Sequence, residues 1–144
     1  MTQAAPPIVQ LAGRVLRELE EIVRSFPRYH KYAVGAELRA IARTVTRCAH
    51  RAWRDQGRRA DWVGRLVFAV DDLKFTIQLA KDVRAFKSFA QFEALVRIVS
   101  ALGQQCGGWQ KQLRRSNGQN RMGSAQAGRA EILSTRAAST EAHV

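Results

Sequence analysis

Apolar residues recur every three or four positions through most of this chain, the spacing that places them on one face of an α-helix. All three prolines lie within the first 27 residues, and runs of Val, Ile and Thr of the strand type are missing. At 144 residues the chain is long enough for one domain with a modest core. The sequence therefore predicts an all-α protein.

Four helices are predicted from this spacing and its interruptions. Helix 1 begins at Pro6-Pro7, where proline suits a first turn, and ends before Pro27. The predicted helices 2, 3 and 4 span, in order, about 31–55, 59–84 and 88–115. The expected inward-facing residues are Ile8, Leu11, Val15, Leu19, Ile22 and Val23 in helix 1; Val34, Leu38, Ile41, Val45, Cys48, Ala49 and Ala52 in helix 2; Val63, Leu66, Val70, Leu73, Ile77 and Ala80 in helix 3; and Phe92, Leu95, Val99, Leu102, Cys106 and Trp109 in helix 4.

Local signals mark the helix ends. Gly57, in the turn after helix 2, is predicted to take a left-handed conformation that ends that helix. Ser88 with Gln91 three residues later predicts a capping box at the start of helix 4. Trp53 and Trp62 flank the turn between helices 2 and 3, and we expect them to pack on each other.

Long helices joined by short connections are the pattern of an up-down antiparallel four-helix bundle, and we expect that fold for residues 6–115. The apolar pattern then fails. Residues 116–144 are polar, small and glycine-containing, which predicts a disordered C-terminal tail.

An uninterrupted row of arginines lies along helix 2. The segment "RAIARTVTRCAHR" places Arg39, Arg43, Arg47 and Arg51 four residues apart, on one side of the helix. Like charges at this spacing repel, and residues 28–59 contain nine cations against two acids, so the repulsion has no local compensation. Twelve residues of helix span roughly 18 Å, so the row matches several phosphates of a nucleic acid. A merely solvated face is the alternative, but the lack of acids favours anion binding.

The charge of the whole chain points the same way. Lys and Arg number 24, of which 19 are Arg, against 12 acids, which gives a net charge of +12. Such an excess indicates an anionic partner: nucleic acid, an anionic membrane surface or an acidic protein. No base-reading set is evident, so sequence-independent contacts are expected. The candidate binding residues are Arg28, Lys31, Arg39, Arg43, Arg47, Arg51, Arg54 and Arg58.

Membrane and secretory signals are not seen. No stretch is apolar enough to span a bilayer, and "MTQAAPPIVQ" lacks the basic start and apolar core of a secretory peptide. Cys48 and Cys106 have no metal-binding spacing, so buried reduced thiols are the simplest interpretation. We therefore expect a cytoplasmic protein.

The sequence gives little support for catalysis. Asp71 and Asp72 are adjacent, so on a helix they point about 100° apart and do not converge. His30, His50 and His143 have no acid or cysteine at ligand spacing, and no phosphate-binding loop or nucleophile motif occurs. We expect no enzymatic activity, no cofactor and no metal.

Aromatic and basic residues alternate in "FPRYHKYAVG". Tyr29, His30 and Tyr32 beside Arg28 and Lys31 could stack on bases, or the tyrosines and the preceding Phe could seal the end of the bundle. Gly35, in the same segment, is expected to let helix 1 or another subunit approach closely.

Two segments resemble a known family. "SFPRYHKYAVGAELR" is similar to that family's Phe-Pro-basic motif before helix 2, and "LGQQCGGWQK" to its helix 4 ending with Gly-Gly-Trp. Together, on a basic four-helix pattern, they resemble the accessory variability determinant proteins of diversity-generating retroelements. The wider family includes bundle proteins encoded in ribosomal RNA intervening sequences. The resemblance covers about residues 8–114.

The resemblance implies a homopentamer with a basic surface that binds RNA or DNA with little sequence preference. It also implies association with the retroelement's reverse transcriptase, in support of mutagenic copying of template RNA, without catalysis by this subunit. Arg39, Arg43, Arg47 and Arg51 match the family's basic helix 2 positions, and Arg28 and Lys31 match those of the Phe-Pro motif. The alternatives are a basic adaptor that docks an acidic protein and, less favoured, a nuclease.

Overall fold

The computed structural model describes the backbone of residues 4–139 and the side chains of residues 4–118. The described backbone is helical throughout apart from short connections, which confirms the all-α class. The helices are α1 (Pro7–Arg24), α2 (Arg28–Tyr32), α3 (Val34–Arg54), α4 (Arg59–Asp82) and α5 (Phe89–Ser139), with a 3-10 turn at Gln56–Arg58. The four long helices match the four predicted ones, in a helical bundle architecture.

The chain divides into two units, Met1–Gln110 and Lys111–Val144. Helix α5 continues past Arg115, where the sequence analysis ended helix 4, and extends to Ser139. The described side chains stop at residue 118, and the disorder expected for residues 116–144 stays a prediction. The packing described below belongs to the first unit.

The predicted helix 2 is two helices in the structure. Ala33 has φ −104° and ψ −99°, outside the helical region, so the one-turn α2 ends there and α3 begins at Val34. The backbone bends at this point where Gly35 lies against α1. A Cβ atom on Gly35 would lie 2.8 Å from Val23 Cγ1 and 3.0 Å from the carbonyl oxygen of His30. The close approach expected at Gly35 is thus a contact with α1.

One apolar core joins the four long helices. Its fully buried large side chains include Leu19, Leu38, Leu73 and Leu102, one from each long helix. Burying a side chain of this size contributes roughly 1.5–3 kcal/mol. All the predicted inward residues are buried except three that are partly buried: Leu11, Ile41 and Trp109.

Small residues bring α1 and α3 together. Ala12 and Ala42, not assigned to the core from the sequence, are each 1% exposed. Between them, the Thr46 hydroxyl donates to the carbonyl oxygens of Ala42 at 2.9 Å and Ala12 at 3.4 Å. The methyl side chains leave room for the backbones to approach, and the hydroxyl links the two helices.

The end of α3 differs from the prediction at Gly57. Of the glycines that the structure describes, none has a positive φ, and Gly57 lies in the 3-10 turn. Instead, the Arg59 side chain closes the helix: its Nε donates to the Ala52 carbonyl at 2.8 Å and its Nη2 to that of Trp53 at 3.0 Å. These bonds satisfy carbonyls that the helix end would leave without a donor. Among the described residues, the backbone takes a left-handed conformation at Arg84, after α4, with φ 62°.

The predicted capping box at the start of α5 is half correct. The backbone N–H of Gln91 donates to Ser88 Oγ at 3.2 Å, as expected. The Gln91 side chain does not return to Ser88; its Oε1 accepts a hydrogen bond from Ser25 Oγ at 3.2 Å. This bond joins the start of α5 to the end of α1.

We predict opposite stability effects of alanine at two glycines. Gly35→Ala should lower the free energy of unfolding by about 1–3 kcal/mol, because its Cβ meets Val23 and the rigid backbone of α2. Gly64→Ala is the matched control in α4, where nothing lies within 4 Å of the added Cβ. It should stabilise by up to about 1 kcal/mol because alanine favours the helix. Urea unfolding of both variants measures the difference, and a gain in stability at Gly35 would contradict the close contact.

The two free thiols are buried, and burial raises the pKa of both. For Cys106 the pKa rises to about 12, although Lys74 opposes the shift. For Cys48 the guanidinium groups of Arg65, Arg47 and Arg51 oppose the effect of burial. Both thiols are therefore protonated in the folded protein at neutral pH.

Cys106 should make stability sensitive to alkaline pH. The pKa of the Cys106 thiol is raised in the folded state. The contribution of this buried thiol to the free energy of unfolding is therefore fully present below the unfolded-state pKa of about 8.5 and is lost as pH rises toward 12. The difference in unfolding free energy between the wild type and Cys106→Ala should be constant below about pH 8 and shrink above it. Urea unfolding across this range measures it. A difference that stays constant up to about pH 11 would argue against a buried, protonated thiol.

Candidate nucleic-acid interface

The arginine row lies on the outward side of α3. Because the buried residues of α3 occupy its other side, Arg43, Arg47 and Arg51 point into solvent and are exposed. At four-residue intervals their Cα atoms lie about 6 Å apart along the helix axis. None of the three forms an ion pair with a carboxylate of the described residues.

Arg39 differs from the rest of the row. Its Nε lies 2.9 Å from Oε2 and 3.0 Å from Oε1 of Glu20 on α1, and both side chains are only about a third exposed. The sequence analysis found no compensation for the row within its own helix, and for Arg39 the compensation comes from outside that helix, from Glu20 on α1. Glu20 lies 19 residues away in the sequence, on another helix, so the spacing within helix 2 gives no sign of this pair. The ion pair between Arg39 and Glu20 therefore joins α3 to α1.

A groove of about 870 Å³ runs between α1 and α3. Val9 and Leu16 of α1 supply its apolar side, and Asp55 is the one carboxylate in its lining. The remaining lining residues come from α3 and are mostly cationic: Arg43, Thr46, Arg47, His50, Arg51 and Arg54. The groove can hold an anion that also has apolar surface.

A second groove, of about 520 Å³, lies on the other side of the row, between α3 and α4. Arg47 and Arg51 border both grooves and form a ridge between them, which we call the basic ridge. From α4 come Arg65, Trp62, Phe68, Ala69 and Asp72, and from α3 also Thr44 and Cys48. The sequence analysis did not include Arg65 among the candidate residues, because the spacing of residues within α4 gives no sign that this side chain faces α3.

Tryptophan rings hold several of these guanidinium groups. Arg51 and Arg65 both lie over the Trp62 ring, with the guanidinium carbon 5.2 Å and 4.8 Å from the ring centroid. Arg54 lies over Trp53 at 5.2 Å. Such contacts are worth about 0.5–1 kcal/mol at exposed sites, and they limit the freedom of the long side chains before any ligand binds.

The mutual packing expected for Trp53 and Trp62 is wrong. Trp53 packs edge-on against His50, with ring centroids 5.6 Å apart, while Trp62 donates a hydrogen bond from Nε1 to Asp55 Oδ2 at 3.3 Å. The turn at Gln56–Arg58 separates the two indoles onto neighbouring helices, and each is covered by arginine instead.

The other candidate residues lie outside both grooves. Arg28 is exposed and Lys31 half-buried on α2, before the start of α3, and Arg58 is exposed in the 3-10 turn. Thus the structure brings Arg43, Arg47, Arg51 and Arg54 together. It does not bring Arg28, Lys31 or Arg58 into the linings of these two grooves.

The aromatic residues before α3 take different positions. Phe26 is buried and packs edge-on against Phe86, with ring centroids 5.2 Å apart, so it seals this end of the core. Tyr29 and Tyr32 are 78% and 71% exposed. The sealing interpretation is right for the phenylalanine and wrong for the tyrosines.

Metal clusters and membrane-spanning helices are both absent from the described part of the chain. Within it, no cluster of three or more His, Cys, Asp or Glu side chains is placed to hold a metal ion. Likewise, no helix there combines the length and the apolar character needed to cross a membrane.

No model of a known protein family matches this chain, and no curated protein sequence matches it either.

We predict that the basic ridge costs stability, unlike Arg39. Arg47→Gln should raise the free energy of unfolding by a few tenths of a kcal/mol, because it removes repulsion from Arg43 and Arg51. Arg39→Gln removes the same charge but also the pair with Glu20, and should lower it by about 0.2–1 kcal/mol.

Urea unfolding at low salt measures both variants, and the gain at Arg47 should shrink as salt screens the repulsion. Equal losses at both positions would show that Arg47 has a structural partner and is not held free for a ligand.

Proposed function

We propose that this protein binds nucleic acid through the outward face of α3, without strong sequence preference and without catalysing a reaction. The observation that carries the proposal is a set of exposed arginines beside two grooves, Arg43, Arg47 and Arg51, none of which is ion-paired with a carboxylate of the described residues. Their spacing of about 6 Å is close to twice the axial distance between phosphates on one strand of a duplex. Guanidinium groups suit phosphate because they donate two parallel hydrogen bonds.

The partner follows from the resemblance of the Phe-Pro and Gly-Gly-Trp segments. We propose an accessory subunit that associates with the reverse transcriptase of a diversity-generating retroelement and supports mutagenic copying of template RNA in the cytoplasm. A homopentamer, which the resemblance implies, would present the α3 face five times, so weak contacts would add to high avidity. Arg28, Lys31 and Arg58 are then candidates for contacts with the polymerase or with neighbouring subunits.

We also propose that consecutive long helices run in opposite directions. Consecutive helices joined by short connections generally run antiparallel. Residues 55–58 join α3 to α4, and residues 83–88 join α4 to α5. These lengths support the up-down antiparallel bundle expected from the sequence.

A charge-reversal pair tests the binding face. The first triple variant reverses three charges on α3: Arg43→Glu, Arg47→Glu and Arg51→Glu. It should weaken binding of a structured RNA by at least about tenfold, measured by fluorescence anisotropy. The control, Arg17→Glu/Arg84→Glu/Lys87→Glu, places three reversals at exposed sites outside both grooves. Each triple variant changes the charge by three times −2, from +12 to +6, so only position differs. The control should bind nearly as well as the wild type.

Salt dependence and mass complete the test. Wild-type affinity should fall between about 50 and 200 mM salt with a log–log slope of roughly −0.7 to −0.9 per phosphate neutralised, and the α3 variant should have a shallower slope. Light scattering on the same samples tests for five chains. If the wild type does not bind RNA even at low salt, the proposal fails, and an acidic protein becomes the expected partner of α3. Equal losses in both triple variants would also contradict it.

A further inference from the structure

The groove between α3 and α4 contains an aromatic ring that the protein leaves in water. Phe68, on α4, is 75% exposed although it lies in the lining of this groove. Removing a phenyl ring from water is favourable, so the exposed Phe68 ring is available as a surface on which a ligand can pack. The ring also offers a flat face for stacking.

Three arginines share the lining of this groove with Phe68. Arg47 and Arg51 of the basic ridge border the groove from α3, and Arg65 is three residues before Phe68 on α4. Arg51 and Arg65 are positioned over Trp62. The single carboxylate of the lining, Asp72, is one turn after Phe68. The charge in the groove is therefore graded, from cationic at Trp62 to acidic at Asp72.

We propose that this groove binds single-stranded nucleic acid by stacking an unpaired base on Phe68. The phosphates beside that base would contact Arg47, Arg51 and Arg65, and Asp72 would keep phosphates away from the opposite end. An exposed aromatic ring beside cations is the combination used for single strands, and it tolerates any base because every base has a flat face. The inference rests on the proposed function and assigns it a preferred form of nucleic acid.

A duplex can use only part of this surface. Its phosphates can contact the basic ridge, but its bases are stacked and paired and cannot enter the groove without being unstacked, at a cost of a few kcal/mol. The row of arginines therefore accounts for binding of either form, and Phe68 adds to the binding of single strands alone.

Phe68 belongs to a longer apolar stripe on α4, which supplies the control. Phe75, two turns further along, is 71% exposed. Its neighbours three and four residues away are Asp71, Asp72, Gln78 and Leu79, none of which is cationic. Phe68 and Phe75 therefore match in residue type, helix and exposure and differ in their electrostatic surroundings.

The test compares single-stranded oligoadenylate with a duplex of the same length, bound to the full chain and measured by fluorescence anisotropy. Phe68→Ala should weaken single-strand binding by about fivefold or more and duplex binding by less than about twofold. Phe75→Ala should change both by less than about twofold. Phe68→Trp should retain single-strand binding, whereas Phe68→Leu, which is apolar without a flat face, should not.

Each other outcome overturns the inference. Equal losses in Phe68→Ala and Phe75→Ala would show that the α4 stripe acts as a whole, as a protein interface does, and light scattering would show the accompanying change in mass. Retained binding in Phe68→Leu would exclude stacking. Wild-type binding of the duplex with no effect of Phe68→Ala on the single strand would remove this inference and leave the proposed function standing. No binding of either form would remove both.

Discussion

The packing of α3 between α1 and α4 decides how the rest of the first unit is arranged. Gly35, Ala12 and Ala42 let α3 approach α1 closely, and Leu38 and Val45 of α3 are fully buried in the core. A helix with 3.6 residues per turn that buries this stripe must turn the intervening positions outward. Guanidinium groups are too costly to bury without partners, so the same packing that forms the core exposes the arginine row.

The fold compensates some arginines and leaves others free. Arg39 pairs with Glu20, Arg59 closes the end of α3, and Arg51 and Arg65 lie over Trp62. These contacts order the protein itself. Among the described residues Arg43 and Arg47 have no such partner, and they lie next to grooves with apolar walls. Repulsion between them costs stability in the free protein, and a polyanion would remove that cost on binding.

The basic ridge separates two surfaces with different chemistry. The groove toward α1 has an aliphatic wall from Val9 and Leu16, whereas the groove toward α4 contains Trp62 and the exposed Phe68. Under the proposed function, the charge of the ridge would attract any nucleic acid, because phosphate contacts carry no sequence information. The proposed stacking site would let the groove toward α4 distinguish its forms, since only a single strand has bases free to enter it.

The sequence by itself determined the helical class, the four long helices, nearly all of the inward residues and the exposed side of α3, because these follow from the spacing of apolar residues along one helix. Contacts between helices decided the rest. The break at Ala33, the pair between Arg39 and Glu20, the separation of Trp53 from Trp62 and the placement of Arg65 and Phe68 beside the basic ridge depend on how neighbouring helices are rotated and how closely they approach. The spacing within one helix carries no record of what the next helix brings against it, so only the tertiary structure joins the arginine row to an aromatic groove.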